Sequence, residues 1–164
     1  MAREYIRKAC LLGDGAVGKT SMVRRYVHDE FSDDYLRTVG TKVTKRVMEF
    51  DDVRMTMMLW DVLGQRANAS LHSAYYKGAN GALLVGDVTR PETIANLAMW
   101  RDEFLRVSPD ASIVVAINKM DLANGRRLDI PSGFDHVVRT SAKTGAGVEE
   151  AFELLGARMV EDIL

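Results

Sequence analysis

The sequence predicts an α/β fold in which a mostly parallel, doubly wound sheet of about six strands carries helices on both faces and one antiparallel hairpin at its edge. Short apolar runs of strand length alternate with segments of helical period, as in folds built on a parallel sheet. Two runs, 81–88 and 112–117, are continuously apolar, which is typical of strands covered on both faces. No stretch of the 164 residues has the composition of a linker, so we expect one domain over 1–164.

The first part of the chain predicts a strand, a helix and a hairpin. An apolar strand at 6–12 is followed by a glycine-rich turn and then a helix. One face of that helix carries Met22, Val23, Tyr26 and Val27. Extended runs at 38–50 and 53–60 flank Asp51 and Asp52, which suit a tight polar turn. We expect the methionines of the second run to be buried, namely Met55, Met57 and Met58.

Two longer helices are predicted in the second part. The first spans about 90–107 and starts at a capping box formed by Thr89 and Glu92, with Pro91 in the first turn. Its predicted buried stripe is Ile94, Leu97, Ala98, Phe104 and Leu105. The second begins near residue 148, and its apolar stripe is Val148, Ala151, Phe152, Leu155, Met159 and Ile163.

Bulk composition excludes several classes of protein. A net charge of -1 with interspersed signs argues against a nucleic-acid binder that works through a basic face. Cys10 is the single cysteine, which rules out an intramolecular disulfide and suits a small buried hydrophobe in a reducing compartment. No apolar run approaches the length of a membrane span, and no signal core is present, so we expect a cytoplasmic protein.

The strongest motif lies between the first strand and the first helix. It matches the phosphate-binding P-loop and reads Gly13-Asp14-Gly15-Ala16-Val17-Gly18-Lys19-Thr20. Its glycines let the backbone wrap phosphates and present N–H donors at a helix N-terminus. Lys19 is expected to reach the β- and γ-phosphates, and Thr20 to bind Mg²⁺. We include the adjoining Ser21 among the nucleotide-binding residues.

A second motif, Asn118-Lys119-Met120-Asp121, selects the base. It follows the apolar run at 112–117, and the carboxylate of Asp121 can accept hydrogen bonds from the ring N–H and the exocyclic amine of guanine. Adenine lacks that pair of donors and would leave the carboxylate unsatisfied. The pair of motifs predicts binding of GTP and GDP rather than ATP.

With these motifs the chain resembles the Ras superfamily of small GTPases, most closely the Rab branch, over essentially its whole length. Tyr75-Tyr76-Lys77-Gly78-Ala79 is a Rab-like stretch. The resemblance implies a P-loop NTPase fold and slow hydrolysis of GTP with Mg²⁺ by a molecular switch. It also implies that Thr38, in switch I, binds Mg²⁺ when the γ-phosphate is present, and that Phe31 packs against guanine.

The resemblance assigns further residues in switch II, around 59–65. Asp61 would hold Mg²⁺ through water, the N–H of Gly64 would contact the γ-phosphate, and Gln65 would orient the attacking water. The catalytic set implied is therefore Gln65, Lys19 and Thr38. The last guanine-binding element would be Ser141, Ala142 and Lys143.

Effectors, an exchange factor and a GTPase-activating protein are implied at the switch regions of a monomer. The chain departs from the family in two places. Only 122–140 separate the guanine motif from the next strand, and Pro131 and Gly133 interrupt them, so we expect the family's helix there to be reduced to a turn or absent. The sequence also ends at 161–164 without a basic tail or C-terminal cysteines, so we expect no lipid anchor in these residues, whether a tail was removed or never existed.

Three functions fit the motifs to different degrees. The leading interpretation is a GTPase whose slow turnover times a signal. The alternative is a nucleotide-gated binding module with negligible intrinsic hydrolysis, which Leu63 and Arg66 keep open. An ATP-using P-loop kinase would need an adenine site and an acceptor lid, and the sequence offers neither.

We predict intrinsic hydrolysis at or below the family's slow rate. Small GTPases usually have alanine at the position of Leu63 and an acidic residue at that of Arg66. A bulky side chain beside the γ-phosphate costs about 1–3 kcal/mol of overpacking, which is roughly one to two decades in rate. Arg66 follows Gln65 directly, so it is expected to point outward rather than to offset that cost.

Single-turnover assays of three proteins check this prediction. Leu63→Ala should hydrolyse GTP faster than wild type, and Gln65→Leu should hydrolyse it more slowly. An unchanged rate for Leu63→Ala would refute the steric argument. An unchanged rate for Gln65→Leu would favour the binding module.

Overall fold

Six strands and five helices make up the part of the chain that the computed structural model describes, residues 2–28, 42–61 and 69–164. The strands are β1 (Arg3–Leu12), β2 (Lys42–Phe50), β3 (Val53–Asp61), β4 (Gly81–Asp87), β5 (Ser112–Asn118) and β6 (Val137–Arg139). The helices are α1 (Lys19–His28), α2 (Ala69–Tyr76), α3 (Pro91–Ala95), α4 (Leu97–Val107) and α5 (Val148–Met159). Among the described residues, none of the helices has the length and apolar character needed to cross a bilayer.

The strands form one sheet in the order β2-β3-β1-β4-β5-β6. All neighbours are parallel except β2 and β3, which are joined by a turn at Asp51 and Asp52. Asp51 has a φ of +50°, a conformation that aspartate tolerates better than most residues. The predicted α/β sheet of about six strands with an antiparallel edge hairpin is confirmed.

Two apolar layers cover the sheet, one on each face. The first lies under α1 and α5, and the second lies under α3 and α4 and includes Tyr76 of α2. Helices on both faces are therefore confirmed. In β3 the alternation of the strand buries Met55 and Met57 but leaves Met58 half-buried on the opposite face, so the prediction of three buried methionines is wrong at Met58.

The predicted helix at 90–107 differs from the structure in three details. It is interrupted at Asn96, which separates α3 from α4. The predicted capping box is absent, because Arg90 is the N-cap without a side-chain cap bond and the Thr89 hydroxyl instead donates to Asp87 Oδ1 at 2.7 Å. Trp100, which the predicted stripe omits, is fully buried.

The expected loss of the helix after the guanine motif is confirmed. A single 3₁₀ turn, Met120–Leu122, follows β5, and residues 123–136 form turns and extended chain up to β6. Leu128, Ile130 and Phe134 from this segment pack against the second apolar layer. They cover part of the surface that a helix would otherwise cover.

Truncation of Phe152 should be strongly destabilising. Its ring stacks on Tyr26 with centroids 4.4 Å apart and joins α5 to α1 across the first apolar layer. We expect Phe152→Ala to lower the free energy of unfolding by about 3–5 kcal/mol in urea titrations. Glu153→Ala, an exposed substitution on the same helix, is the control and should change it by less than about 0.5 kcal/mol. A loss below about 1 kcal/mol for Phe152→Ala would contradict this account.

Candidate functional site

The P-loop motif lies at the predicted place, between the end of β1 and the start of α1. Gly13 has a φ of +146°, and a Cβ there would lie 2.3 Å from the Val85 carbonyl oxygen. Gly18 has a φ of +102°, and a Cβ there would lie 2.3 Å from Asn118 Nδ2. Both positions therefore require glycine, because the loop passes directly against β4 and the guanine motif.

The carbonyl groups of five consecutive loop residues accept hydrogen bonds from side chains. The pairs are Gly13 and Asp14 with Lys19, Gly15 with Arg90, Ala16 with Lys119, and Val17 with Asn118, at N···O distances of 2.9–3.0 Å. A trans peptide directs its N–H opposite to its C=O, and no described peptide bond is cis. The N–H groups of residues 14–18 consequently face away from these donors, which is the arrangement of an anion-binding loop.

Lys19 begins α1 and is almost fully buried. Burial lowers the pKa of its ammonium to about 8, and the nearby carboxylates of Asp61 and Asp14 oppose that shift. The ammonium is held under the loop by the Gly13 and Asp14 carbonyls, where it would meet the phosphates of a bound nucleotide.

Thr20 and Asp61 supply two neighbouring oxygens beside the P-loop. The Thr20 hydroxyl donates to Asp61 Oδ2 at 2.5 Å, and Asp61 is buried at the end of β3, where burial raises the pKa of its carboxyl. A hydroxyl and a carboxylate next to a phosphate site fit Mg²⁺, which takes few protein ligands and completes its shell with water and phosphate oxygens. Among the described residues, no cluster of three or more His, Cys, Asp or Glu side chains competes as a metal site.

Asn118 links the phosphate and base elements. Its side-chain Nδ2 donates to the Val17 carbonyl at 3.0 Å, and its Oδ1 accepts from Thr140 Oγ1 at 3.1 Å and from the Ala142 N–H at 3.2 Å. The residue is fully buried and ends β5. The P-loop, the guanine motif and the last guanine-binding element therefore share one hydrogen-bonded centre.

The predicted base-binding carboxylate is exposed and oriented. Asp121 Oδ1 accepts from the Ser141 hydroxyl at 2.7 Å, and Ser141 itself is buried. The carbonyls of Ala142 and Lys143 accept from the Arg25 guanidinium of α1 at 2.9 Å and 2.6 Å. The Lys143 side chain is exposed. The structure thus brings Asp121 and the 141–143 element together as the sequence predicts.

Lys119 and Asp87 form an ion pair behind the site that the motif analysis missed. Lys119 Nζ lies 2.9 Å from Asp87 Oδ2 and also donates to the Ala16 carbonyl. Burial acts to raise the pKa of Asp87, but hydrogen bonds from Thr89 and Lys119 outweigh it, and the pKa is lowered. Asp87 ends β4, and the rule that ligands bind at the carboxyl ends of parallel strands could have identified it.

Several predicted residues lie outside the described part of the chain. These are Phe31, Thr38, Leu63, Gly64, Gln65 and Arg66. Ser21 lies half-buried in the first turn of α1. Five further residues contact the motifs without belonging to one, and because the motif residues they contact are distant in the chain, no sequence pattern indicates them: Arg25, Asp87, Arg90, Asn96 and Trp100.

Comparison with known proteins agrees with this geometry. The Ras family model matches residues 8–161. The chain is similar to the Ras-related protein Rab7 of Drosophila melanogaster, at 37% identity over 97% of this chain and 83% of that one. It is similar to the Ypt/Rab-type GTPase Rab7 of Gibberella zeae, at 36% identity over 93% and 82%, and to the Ras-related protein RABA4a of Arabidopsis thaliana, at 36% over 91% and 70%. The chain therefore belongs to the Ras family of small GTPases and is Rab-like within it.

Proposed function

We propose that the chain binds GTP and GDP with Mg²⁺, hydrolyses GTP slowly and acts as a molecular switch. The observation that carries this proposal is the bonding of Asn118 to Val17, Thr140 and Ala142. Through these bonds the phosphate-binding loop is joined to the two base-binding elements at the carboxyl ends of the strands, where sheets of this kind bind ligands.

Different residues would have different roles at the phosphates and the metal ion. The N–H groups of residues 16–18 and the ammonium of Lys19 would neutralise and position the β- and γ-phosphates. Thr20 and Asp61 would hold Mg²⁺, directly and through water. When bound, the ion supplies charge stabilisation on the phosphate oxygens.

Selectivity for the base would come from Asp121. Its Oδ1 is fixed by Ser141, so the carboxylate faces the base edge in a set orientation. Arg25 fixes the neighbouring backbone through the Ala142 and Lys143 carbonyls. A guanine donating two N–H groups would satisfy the carboxylate, whereas adenine would not.

The resemblance to small GTPases supplies the roles of the switch residues in this proposal. Thr38 would sense the γ-phosphate, Phe31 would pack on the base, and Gly64 and Gln65 would act on the γ-phosphate and the water. Effectors, an exchange factor and an activating protein would bind at these segments. A monomeric state is proposed on the same basis, whereas a cytoplasmic location is proposed from the sequence, in which no apolar run approaches the length of a membrane span.

Asp121→Asn should weaken the binding of guanine nucleotides and change the preference for the base. Two hydrogen bonds to a charged acceptor would be weakened, so we expect affinity for GDP to fall roughly 100-fold or more in calorimetric titrations. The affinity for xanthosine diphosphate should rise relative to that for GDP, because the C2 carbonyl of xanthine can accept a hydrogen bond from the new amide. Asp129→Asn, an exposed aspartate in the segment after the motif, is the control and should bind GDP normally. Equal affinity of wild type for ATP and GTP would refute the assignment of the base site.

Lys19→Ala should abolish tight binding of both GTP and GDP. Among the described residues, Lys19 is the only cationic side chain that donates to the Gly13 and Asp14 carbonyls. Because the variant removes this charge from the phosphate site, we expect the affinity for both nucleotides to fall roughly 100-fold or more. Lys77→Ala, at an exposed site in the turn after α2, serves as the control and should leave the affinity for GTP and GDP unchanged. Retention of tight GTP binding by Lys19→Ala would show that this loop is not the phosphate site.

A further inference from the structure

Asp14 is a carboxylate within the phosphate-binding loop, and both of its oxygens accept hydrogen bonds from side chains of the α3–α4 segment. Asp14 Oδ2 accepts from Asn96 Nδ2 at 2.7 Å, and Asp14 Oδ1 accepts from Trp100 Nε1 at 2.9 Å. A free anion at this position would repel the phosphates that the loop is built to bind. The two donors hold the charge on the side of the loop that faces α4.

The same segment also holds the next loop residue. Arg90, which caps α3, donates to the Gly15 carbonyl at 2.9 Å. Its guanidinium is itself placed by Glu92 at 3.5 Å and Asp87 at 3.9 Å.

The anchor for these contacts is rigid. Trp100 is buried in the second apolar layer with Leu97 and Phe104, so its indole cannot shift without repacking that layer. Asn96 lies at the junction of α3 and α4, where the helix is interrupted. Three donors, of which the Trp100 indole is held by the apolar layer, therefore reach two consecutive loop residues.

We propose that Arg90, Asn96 and Trp100 are positioning residues for the phosphate-binding loop, and that the lifetime of bound nucleotide depends on them although they do not touch it. They keep the Gly15 carbonyl and the Asp14 carboxylate turned toward α3–α4, and so keep the loop N–H groups turned toward the phosphates. This inference rests on the proposed nucleotide-binding function.

The test is the dissociation rate of a fluorescent GDP analogue, excited directly, from wild type and single variants. Trp100→Phe keeps an aromatic ring and removes the donor, and Asn96→Ala and Arg90→Ala remove the other two. Each variant should release the analogue roughly 10-fold faster, the factor expected for one charge-assisted hydrogen bond. Arg101→Ala is the matched control, because this arginine of α4 also donates to a loop carbonyl, that of Ser132, but not to the phosphate-binding loop.

A double-variant cycle separates positioning from a general loss of stability. If Trp100 acts through Asp14, Trp100→Phe should accelerate release in the wild-type background and have no effect in Asp14→Ala. A merely structural role of the indole would give the same acceleration in both backgrounds. Asn96 is half-buried, so the same cycle with Asn96→Ala tests the proposal if Trp100→Phe does not fold.

The possible results are distinct. Faster release from the three variants, normal release from Arg101→Ala and loss of the Trp100→Phe effect in Asp14→Ala support the proposal. Release within about twofold of wild type for all three variants, or equal acceleration by Arg101→Ala, overturns it. Failure of wild type to bind GDP would overturn the proposed function and this inference together, whereas normal binding by wild type with unchanged release from the variants would overturn this inference alone.

Discussion

The site depends on the outward orientation of the carbonyls of Gly13–Val17. Each of them accepts a hydrogen bond from a lysine, arginine or asparagine side chain, and the N–H that follows each carbonyl in the chain points the opposite way. Four of the five bonds come from a charged donor, and such bonds are stronger than neutral ones. The side chains around the loop therefore hold its backbone at the start of α1.

The sheet topology explains why those donors are available. β1 lies between β3 and β4, and the chain leaves β1 and β4 toward opposite edges of the sheet. In sheets of this kind ligands bind where two such connections diverge, and the carboxyl ends of β1, β4 and β5 lie next to that point. The P-loop, Asp87 and Asn118 stand at those three ends. Residues far apart in sequence meet there because parallel strands place their carboxyl ends at one edge.

Much of this arrangement is predictable from sequence, and the reason differs between features. Apolar runs at 81–88 and 112–117 identify buried strands because their composition alone requires cover on both faces. The P-loop motif lies between β1 and α1, as the sequence predicts, because the motif is a local device whose geometry is set by neighbouring residues. The bond of Trp100 to Asp14 spans 86 positions and leaves no periodicity or spacing to detect. The predicted capping box at Thr89 failed for a related reason, since Asp87, placed by the end of β4, is the acceptor that the hydroxyl uses instead.

The shortened segment after the guanine motif shows how little the base site depends on what connects its two halves. β5 and β6 pair in parallel, with Ile117 opposite Arg139, so the residues that follow each strand are neighbours by register. The Thr140 N–H donates to the Ile117 carbonyl at 2.8 Å, and the Met120 N–H donates to the Thr140 carbonyl at 3.0 Å. These backbone bonds place Asp121 and Ser141 together whether a helix or a turn lies between them. A chain can therefore lose that helix and keep its base-binding geometry, provided that enough apolar side chains, here including Phe134, remain to cover the sheet beside it.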